Sequence, residues 1–523
     1  MILAIFCVAV PLRLSAQSQW RPEDRTIVGS FNRITAVATS FTVVYVASDA
    51  AVVTWDPLGH RWGLPVAADV PGGLADVTAG LIDPLDQTLW LAERAGWIHY
   101  EPMLRRWSQG RTASPVVQIA FDQSDPARGL YLRTAAGWQL VSRGALMAEP
   151  SAPPQHPIIP TTLLDAVREN PQLNSNSAFI LNAPAAPGFG TARYTVAAPA
   201  ADRSGWYVGT TTLGLLFLPI AAATPERRPF GLPGSRIGAL FAAPGGVWVL
   251  TERGSGSFAG LSFVSSDLSS FTWRTGDPVF GQPFTNARRL IGSDTLLWAA
   301  TDNGAVAFPL QDGPARRWST PDGLPDARVL SVAAGRGRIF FGTARGIGEL
   351  SDSDGQSTLH RVARDYVDQA LALAPSGDTL WVGTPRGLYA ALPGESDLRQ
   401  APGWGSAFRF QTPVVALLWR ADTLIALTRD EMLWREPHGG WIEGPILSAT
   451  IGPLRALAND AAGLWVAGAR GVGFARVGSS LQRPLMTGDA LPGSVTDVAV
   501  DDQYLWVGTD AGLVRFALDA VRP

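Results

Sequence analysis

The chain has 523 residues, of which 46% are hydrophobic and 17% are charged, and its formal net charge at pH 7 is −3. This near-neutral balance, with no lysine among the 42 basic residues, excludes a basic surface of the size that nucleic-acid binding requires. The length exceeds that of one ordinary domain and predicts at least two.

The first predicted element is an export signal at residues 1–16. Ile2 to Leu12 form an apolar core, and Leu14-Ser15-Ala16 is typical of a cleavage site with small residues. The single cysteine, Cys7, lies inside this segment, so the mature chain would hold no thiol and no disulfide. Because no other apolar run is long enough to cross a bilayer, we expect an exported periplasmic or extracellular protein without a membrane span.

One repeated motif organises the rest of the chain, and its best copy is Leu505-Trp506-Val507-Gly508-Thr509-Asp510-Ala511-Gly512-Leu513. Weaker copies recur mostly every 40 to 45 residues, a period typical of propeller blades with four strands. The anchor position of Trp506 is occupied in the eleven copies by Tyr45, Trp90, Tyr131, Tyr207, Trp248, Trp298, Phe340, Trp381, Ile425, Trp465 and Trp506.

Each copy predicts two successive hairpins. An apolar run such as 495–500 precedes a turn at Asp501-Asp502, and the anchor strand follows it. Glycine stands six residues after the anchor in eight copies, where a second tight turn needs a positive φ. A third strand, and often a fourth with its own tryptophan, complete the unit. The fold class that we predict is all-β: two β-propellers built from about eleven four-stranded blades.

These repeats resemble the two-component-regulator propeller family, the sensor repeats found in the extracytoplasmic halves of hybrid sensor kinases and in stand-alone secreted proteins. The family's core, Leu-Trp-x-Gly-Thr-x-x-Gly-Leu, is matched at 380–388 and 505–513, and its linking Gly-Leu-Pro element at 231–233 and 323–325. The family usually pairs two seven-bladed rings, whereas this chain has eleven copies. The resemblance implies a propeller fold with a sensor-type binding role.

Two rings are the economical division of eleven blades, and we place their boundary in the segment 276–286, which is rich in Gly and Pro. The first propeller would then cover residues 17–280 and the second residues 281–523. Inside the first, residues 150–190 interrupt the repeat with prolines at 150, 153, 154, 157 and 160 and a short predicted helix at 161–170. This insertion is either an excursion on one face of the ring or a decayed twelfth blade.

The two ends of the chain each hold an incomplete blade. Trp20 to Phe31 look like a fourth strand without the preceding three, and the chain stops after a third strand near Phe516. One interpretation is that the N-terminal strand completes the last blade, so that one ring is inserted within the other. The alternative is two rings that follow one another.

The turn after the anchor strand should lie on the same propeller face as the connections between blades. Arginines in these turns could form an arc of guanidinium groups that binds carboxylate, sulfate or phosphate. The alternative is that turns are exposed and that every basic residue of this chain is arginine. The candidate binding residues are Arg94, Arg253, Arg345, Arg386 and Arg470. Trp97 and Trp138, beside turn glycines, either stack on sugar rings or belong to the core.

No motif predicts catalysis. The five histidines are isolated from one another, and no Gly-x-Ser-x-Gly is present. We therefore predict no catalytic residue, metal or cofactor, and a non-enzymatic exported propeller that binds an anionic or glycan ligand or an envelope protein on one face. The alternatives are a polysaccharide-active lyase or hydrolase with its site at a propeller channel, and a purely structural envelope scaffold.

Overall fold

The computed structural model describes residues 20–21, 24–49, 51–66, 70, 73–74, 76–161, 168, 193–220, 225–252, 260–275, 286–293, 295–311, 313–353, 356–404, 412–435 and 440–523. The predicted signal at 1–16 lies outside these residues, as does nearly all of the predicted helix at 161–170. The described residues form antiparallel sheets with very little helix, so the predicted all-β propeller fold class is confirmed.

A single strand, β1 (Arg25–Val28), precedes the first four sheets, which we number blades 1 to 4. Their strands are, for blade 1, β2 (Ile34–Thr39), β3 (Val44–Ser48), β4 (Val52–Asp56) and β5 (Arg61–Trp62); for blade 2, β6 (Val77–Ile82), β7 (Leu89–Glu93), β8 (Gly96–Glu101) and β9 (Arg106–Arg111); for blade 3, β10 (Val116–Asp122), β11 (Gly129–Thr134), β12 (Gly137–Ser142), β13 (Glu149–Pro150) and β14 (Pro157–Ile158); and for blade 4, β15 (Tyr194–Pro199), β16 (Gly205–Thr210), β17 (Leu215–Pro219) and β18 (Glu226–Arg228).

The next six sheets, blades 5 to 10, have four strands each, and blade 11 has three of its own. They are β19 (Ile237–Ala243), β20 (Gly246–Thr251), β21 (Gly260–Ser265), β22 (Phe271–Thr275); β23 (Arg289–Gly292), β24 (Leu296–Thr301), β25 (Gly304–Pro309), β26 (Arg316–Trp318); β27 (Val329–Gly335), β28 (Arg338–Thr343), β29 (Gly346–Ser353), β30 (Gln356–Val362); β31 (Ala372–Ser376), β32 (Thr379–Thr384), β33 (Gly387–Ala391), β34 (Arg399–Gln400); β35 (Ala416–Arg420), β36 (Thr423–Leu427), β37 (Glu431–Arg435), β38 (Trp441–Ile446); β39 (Leu454–Asp460), β40 (Gly463–Gly468), β41 (Gly471–Ala475), β42 (Gln482–Met486); and β43 (Val495–Val500), β44 (Tyr504–Thr509), β45 (Gly512–Ala517). Among the described residues, the helical segments of three or more residues are one 3₁₀ turn (Thr320–Asp322), α1 (Ser448–Ile451) and α2 (Leu518–Val521).

The eleven predicted repeats correspond to the eleven blades. Every anchor residue lies in the second strand of its blade, and every one is buried. At Trp506 the side chain is fully buried, and its indole Nε1 donates a hydrogen bond to Asp501 Oδ2 at 2.8 Å. The other oxygen of Asp501 accepts the backbone N–H groups of Gln503 and Tyr504, so one carboxylate both shapes the hairpin turn and satisfies the buried indole. Trp465 and Asp460 repeat the arrangement at 3.1 Å.

The prediction of positive φ at the turn glycines holds in most described blades and fails in two. Gly346 has φ +117° and Gly512 has φ +141°. Gly96 and Gly471 do not have positive φ; a Cβ on either would collide with a backbone carbonyl oxygen of the neighbouring fourth strand. At those two positions glycine is required by close backbone approach rather than by turn geometry.

Blades 5 to 11 form a closed ring within the described part of the chain. Their first strands contact one another in sequence from β19 to β43, and β43 contacts β19. Strand β1 pairs antiparallel with β45 and supplies the fourth strand of blade 11, in the register Arg25↔Phe516 to Val28↔Leu513. The interpretation in which the N-terminal strand completes the last blade is therefore confirmed.

In the sequence, blades 1 to 4 lie between the two segments that form this ring, namely strand β1 and blades 5 to 11. Their first strands contact in the order β15, β2, β6, β10, which places blade 4 beside blade 1. Blade 5 thus contacts blades 6 and 11, whereas the predicted boundary at 280 assigned it to the first propeller. We propose that the boundary between the two units lies within 229–236 instead.

Two adjacent linkers, 29–33 and 229–236, join the units. Ser30 forms backbone bridges with Gly231 and Leu232, and the Asn32 side-chain amide donates to the Pro233 carbonyl. An aromatic cluster surrounds the crossing, with ring centroids separated by 4.6 to 5.0 Å. Its members, drawn from both units and both linkers, are Phe31, Trp55, Trp62, Phe230 and Phe271. The linkers are therefore packed into a core rather than exposed.

Truncation of the anchor of blade 11 tests the packing that the repeat provides. Trp506→Ala should lower the free energy of unfolding by about 3–5 kcal/mol, because it leaves a cavity among buried neighbours and an unpaired Asp501 oxygen. Denaturant unfolding followed by circular dichroism measures the change. Trp506→Phe, which keeps an aromatic ring but loses the indole donor, should lose clearly less. A loss below about 1 kcal/mol for the alanine variant would contradict the buried role.

Candidate functional site

The turns between second and third strands are fixed by a threonine. Thr343 Oγ1 donates to the Gly346 carbonyl at 2.8 Å, and its oxygen accepts the Arg345 backbone N–H at 3.2 Å. Thr384 repeats both bonds with Gly387 and Arg386, at 3.0 and 3.1 Å. The hydroxyl closes the turn from inside the blade, which leaves the arginine side chain at the exposed tip.

The predicted arginines lie in these turns but on two different units. Arg94 belongs to blade 2, whereas Arg345, Arg386 and Arg470 belong to blades 7, 8 and 10, and all four are exposed. Arg253 lies outside the described residues. The structure therefore brings three of the five candidates onto one ring, and the arc of guanidinium groups stays a prediction.

Acidic residues accompany two of these arginines. Arg345 Nε lies 3.8 Å from Asp326 Oδ2, and Arg386 Nη2 lies 3.4 Å from Asp368 Oδ2. Each aspartate belongs to the connection that leads into the same blade, which confirms that the turns and the connections share one face. Both arginine side chains remain largely exposed, at 77% and 68%. An anionic ligand on this face would have to compete with these carboxylates for the guanidinium groups.

Reversing both charges tests the predicted arc. We expect Arg345→Glu with Arg386→Glu to abolish binding of an acidic oligosaccharide, measured by isothermal titration calorimetry. The melting temperature should change little, since each exposed ion pair contributes only about 0–1 kcal/mol. Arg336→Glu is the matched control, because it removes an exposed arginine, paired with Asp378 at 2.8 Å, from a turn on the opposite face. Binding that survives the double reversal would remove the arc.

The opposite face of blades 1 to 4 carries exposed apolar side chains. In an antiparallel four-stranded blade, the first and third turns lie at the same end, so these turns share one face. Phe41, Leu58 and Met103 are exposed by 82%, 91% and 95%. The apolar turn face, as we name it, comprises Phe41, Leu58, Leu85, Met103, Leu104, Leu146, Met147 and Ile220. Among the described residues, the corresponding turns of blades 5 to 11 expose one large apolar side chain, Val477.

Three arginines of these turns, Arg61, Arg106 and Arg143, are paired with carboxylates of the same face. Arg106 Nη2 lies 2.7 Å from Glu101, and Arg61 Nε lies 3.4 Å from Asp56. The backbone N–H of Gly59 hydrogen-bonds to Asp56 and, with help from Arg61, holds the pKa of that carboxyl below its usual value. Arg143 bridges two aspartates of blade 2 at 2.7 and 2.8 Å. The face therefore combines apolar tips with several ion pairs.

A cavity opens on the apolar turn face between blades 1 and 4. Its volume is about 510 Å³, and its lining includes Phe41, Leu58, Trp55 and Phe217. Arg228 lies against two of these rings, 5.5 Å from the Trp55 centroid and 5.6 Å from that of Phe217. The cavity is wide enough to accept a large apolar side chain from another molecule.

The axis of the seven-bladed ring contains a second cavity, of about 480 Å³, lined by the first strands of all seven blades. Asp497 and Arg289 are the ionisable residues of its lining. The carboxylate oxygens of Asp497 accept the backbone N–H groups of Leu240 and Val498, each at 2.9 Å, and Arg289 Nη1 lies 3.7 Å away. Two backbone donors, rather than the arginine, thus hold this buried carboxylate in place.

Burial raises the pKa of Asp497, and Arg289 and the two backbone donors only partly oppose the rise. An acid with a raised pKa in the folded chain stabilises the fold fully below its unfolded value, near 3.8, and loses that contribution as pH rises through the folded value. The free energy of unfolding of the natural chain minus that of Asp497→Asn should therefore fall as the pH rises above the unfolded value, near 3.8. Urea unfolding at several pH values measures this difference. A flat or rising difference would contradict the prediction.

Other residues singled out from the sequence have structural roles. Trp97 is buried against Trp90, with ring centroids 5.1 Å apart, so it belongs to the core; Trp138 is half-buried. His99 stacks on Trp90 at 4.0 Å, and burial lowers its pKa. Among the described residues, no three His, Cys, Asp or Glu side chains are grouped so as to hold a metal ion. In the same residues, no helix has the length and apolar character required to cross a bilayer.

The sheets define the chain as a β-propeller protein. No family model matches it, and no curated protein matches it either. Among solved structures it is similar to the extracellular domain assigned to a hybrid two-component system of B. thetaiotaomicron, with 10% identity, a TM-score of 0.43, and coverage of 93% of this chain and 70% of that one. Virginiamycin B lyase from Staphylococcus aureus is 15% identical over 54% of this chain and 95% of its own, with a TM-score of 0.41. PorZ, a surface component of the type-IX secretion system of Porphyromonas gingivalis, is 12% identical over 92% and 68%, with a TM-score of 0.33. Similarity at this level identifies no function.

Sequence reasoning missed both the apolar turn face and the pair formed by Arg289 and Asp497 in the axial cavity. A local signal for the first exists, since proline precedes a large apolar residue in three turns, at Pro57-Leu58, Pro84-Leu85 and Pro102-Met103. Turns normally carry polar residues, so an apolar residue repeated there is informative. No such signal exists for Arg289 and Asp497, because they lie on different blades and meet only when the ring closes.

Proposed function

We propose that the chain is a non-enzymatic, exported propeller protein that binds a protein partner through the apolar turn face of blades 1 to 4. The observation that carries this proposal is the exposure of large apolar side chains at the turns of all four blades. Scattered apolar residues are normal on protein surfaces, but their concentration on one face is typical of interaction sites.

The chemistry of the face indicates the kind of partner. Methionine and phenylalanine are enriched in protein interfaces, and both stand at its tips. Arg61, Arg106 and Arg143 of this face are paired with its own carboxylates, which lowers the positive charge that it offers to nucleic acid or to anionic lipid. The complementary surface is therefore an apolar, uncharged patch on another protein. The cavity lined by Phe41 and Leu58 gives such a partner a place for one anchoring side chain.

Export and the absence of enzymatic activity remain parts of the proposal. Export is supported by the apolar segment Ile2 to Leu12 and its small-residue site. No observation on the described residues favours the alternative of a polysaccharide-active enzyme. An anionic or glycan ligand on the opposite face, at Arg345 and Arg386, is a separate proposal that the charge-reversal experiment tests.

Site-specific crosslinking tests the apolar turn face. A photo-reactive amino acid at Leu58 or Met103, in the full chain in its native cells, should give a defined adduct with another protein. The same group at Val367, exposed by 65% on the seven-bladed ring, is the matched control and should give at least about tenfold less. Leu85→Ser with Phe41→Ser in the crosslinking background should reduce the adduct by a similar factor while the melting temperature stays nearly unchanged.

Each other outcome overturns the proposal. Equal adducts from Val367 would mean that the labelling is non-specific. An adduct of twice the chain mass of 55.6 kDa would identify a second copy as the occupant, and a lipid adduct would identify a membrane surface. The absence of any adduct would leave the face without a partner.

A further inference from the structure

We propose that the central channel of blades 5 to 11 is a binding site for a small amphipathic carboxylate, with its apolar chain along the channel and its carboxylate on the guanidinium group of Arg289. This site is separate from the apolar turn face and does not depend on the function proposed above.

The channel wall is a belt of aliphatic side chains in equivalent positions. In each blade, the residue that follows the anchor pairs with a residue of the first strand, and that first-strand residue lines the cavity. The belt therefore follows from the repeat. The seven residues are Leu240, Leu290, Val332, Leu373, Leu417, Leu457 and Val498. They exclude ionised groups from the middle of the channel and favour an alkyl chain there.

One register step away, the lining becomes partly polar. Arg289, Ser331, Ala372 and Asp497 occupy this layer of the lining. Ser331 Oγ donates to the Ala370 carbonyl at 3.0 Å, so its hydroxyl hydrogen is already engaged. The carboxylate of Asp497 is satisfied by its two backbone donors. Arg289 is the cationic side chain of this lining.

The guanidinium group of Arg289 makes no hydrogen bond to the nearest carboxylate. Its nearest carboxylate oxygen is 3.7 Å away, beyond hydrogen-bond distance, and its side chain, which lines the cavity, is 28% exposed. An arginine has five N–H donors in a planar fork that matches a carboxylate bidentately. At the edge of an apolar channel, where water competes poorly, such a pair is strengthened by the low local dielectric.

The neighbouring Asp497 should make carboxylate binding at Arg289 dependent on pH. It compensates the charge of Arg289 when the channel is empty, and it would repel a carboxylate placed on its own side. Because burial raises the pKa of Asp497, proton uptake by that carboxyl on ligand binding would relieve the repulsion. A carboxylate ligand should consequently bind more tightly as the pH falls toward that pKa.

The shared ligand chemistry has two sources, a fatty acid and an apolar amino acid or peptide C-terminus. Octanoate and N-acetyl-leucine are suitable probes for the two. Octanol and octylammonium, which keep the alkyl chain of octanoate but replace its head group, are the matched controls. Isothermal titration calorimetry on the full chain should show one site that binds at least one carboxylate probe about tenfold more tightly than octanol, with no binding of octylammonium.

Variants at Arg289 separate the head group from the channel. Arg289→Gln should reduce carboxylate affinity to the level of octanol, and Arg289→Lys, which keeps the charge but loses the fork, should give an intermediate loss. Arg288→Gln is the control, because Arg288 pairs with Asp302 at 2.9 Å and does not line the channel. The lysine variant also keeps the test valid if the glutamine variant does not fold.

Three results would overturn the inference. The first is that neither carboxylate probe binds. The second is that octanol binds as tightly as octanoate, which would leave only an apolar channel. The third is that both Arg289 variants bind octanoate unchanged. Octanoate binding should persist when Leu58 and Met103 are changed to serine, so failure of the channel site and failure of the apolar turn face are distinguishable.

Discussion

The architecture depends on one short antiparallel pairing, in which Arg25–Val28 lies beside Gly512–Ala517. It joins the two ends of the chain and gives blade 11 its fourth strand. The Arg25 guanidinium reinforces the seam by donating to the Asp489 and Ala490 carbonyls at 2.9 and 3.1 Å, and it lies over the Trp20 ring at 4.9 Å. Without this strand, β45 would present an unpaired edge at the seam of the ring.

Closure by the N-terminal strand also determines where the second unit sits. The chain leaves the ring at Val28, builds blades 1 to 4, and returns at Ile237, so the exit and the return lie together at the seam. The aromatic cluster around Phe31 and Phe230 fills the space between them. The two units consequently divide the surface chemistry: the ring holds the axial channel, and the inserted blades hold the apolar turn face.

The repeat was predictable from sequence because the same physical demands return in every copy. Each blade needs a buried anchor, as at Trp506, and the turn after the anchor strand is often closed by a threonine hydroxyl, as at Thr343. These are local requirements, and local patterns reveal them. The reason for glycine at Gly96 was not predictable, since it depends on how closely the fourth strand approaches.

The sequence did not show which blades belong to the same ring. Blade 5 follows the same pattern as blade 4, and only contacts between distant strands, such as β19 with β43, assign it to the seven-bladed ring. The candidate arginines illustrate the same limit. Their exposed turn positions could be predicted, but the carboxylates of Asp326 and Asp368 beside them lie in the connections between blades, and the sequence does not show that these connections approach the turns. The pairing of Arg289 with Asp497 likewise exists only once the circle is complete.

The side-by-side linkers have a mechanical consequence. Because Ser30 is bridged to Gly231 and Leu232, a pull on the inserted blades would load strands β1 and β19 at the same point. That point is the seam of the ring, where the four residue pairs between β1 and β45 would share the load in parallel. A lateral force on blades 1 to 4 would therefore act on the β1–β45 pairing that closes the ring of blades 5 to 11.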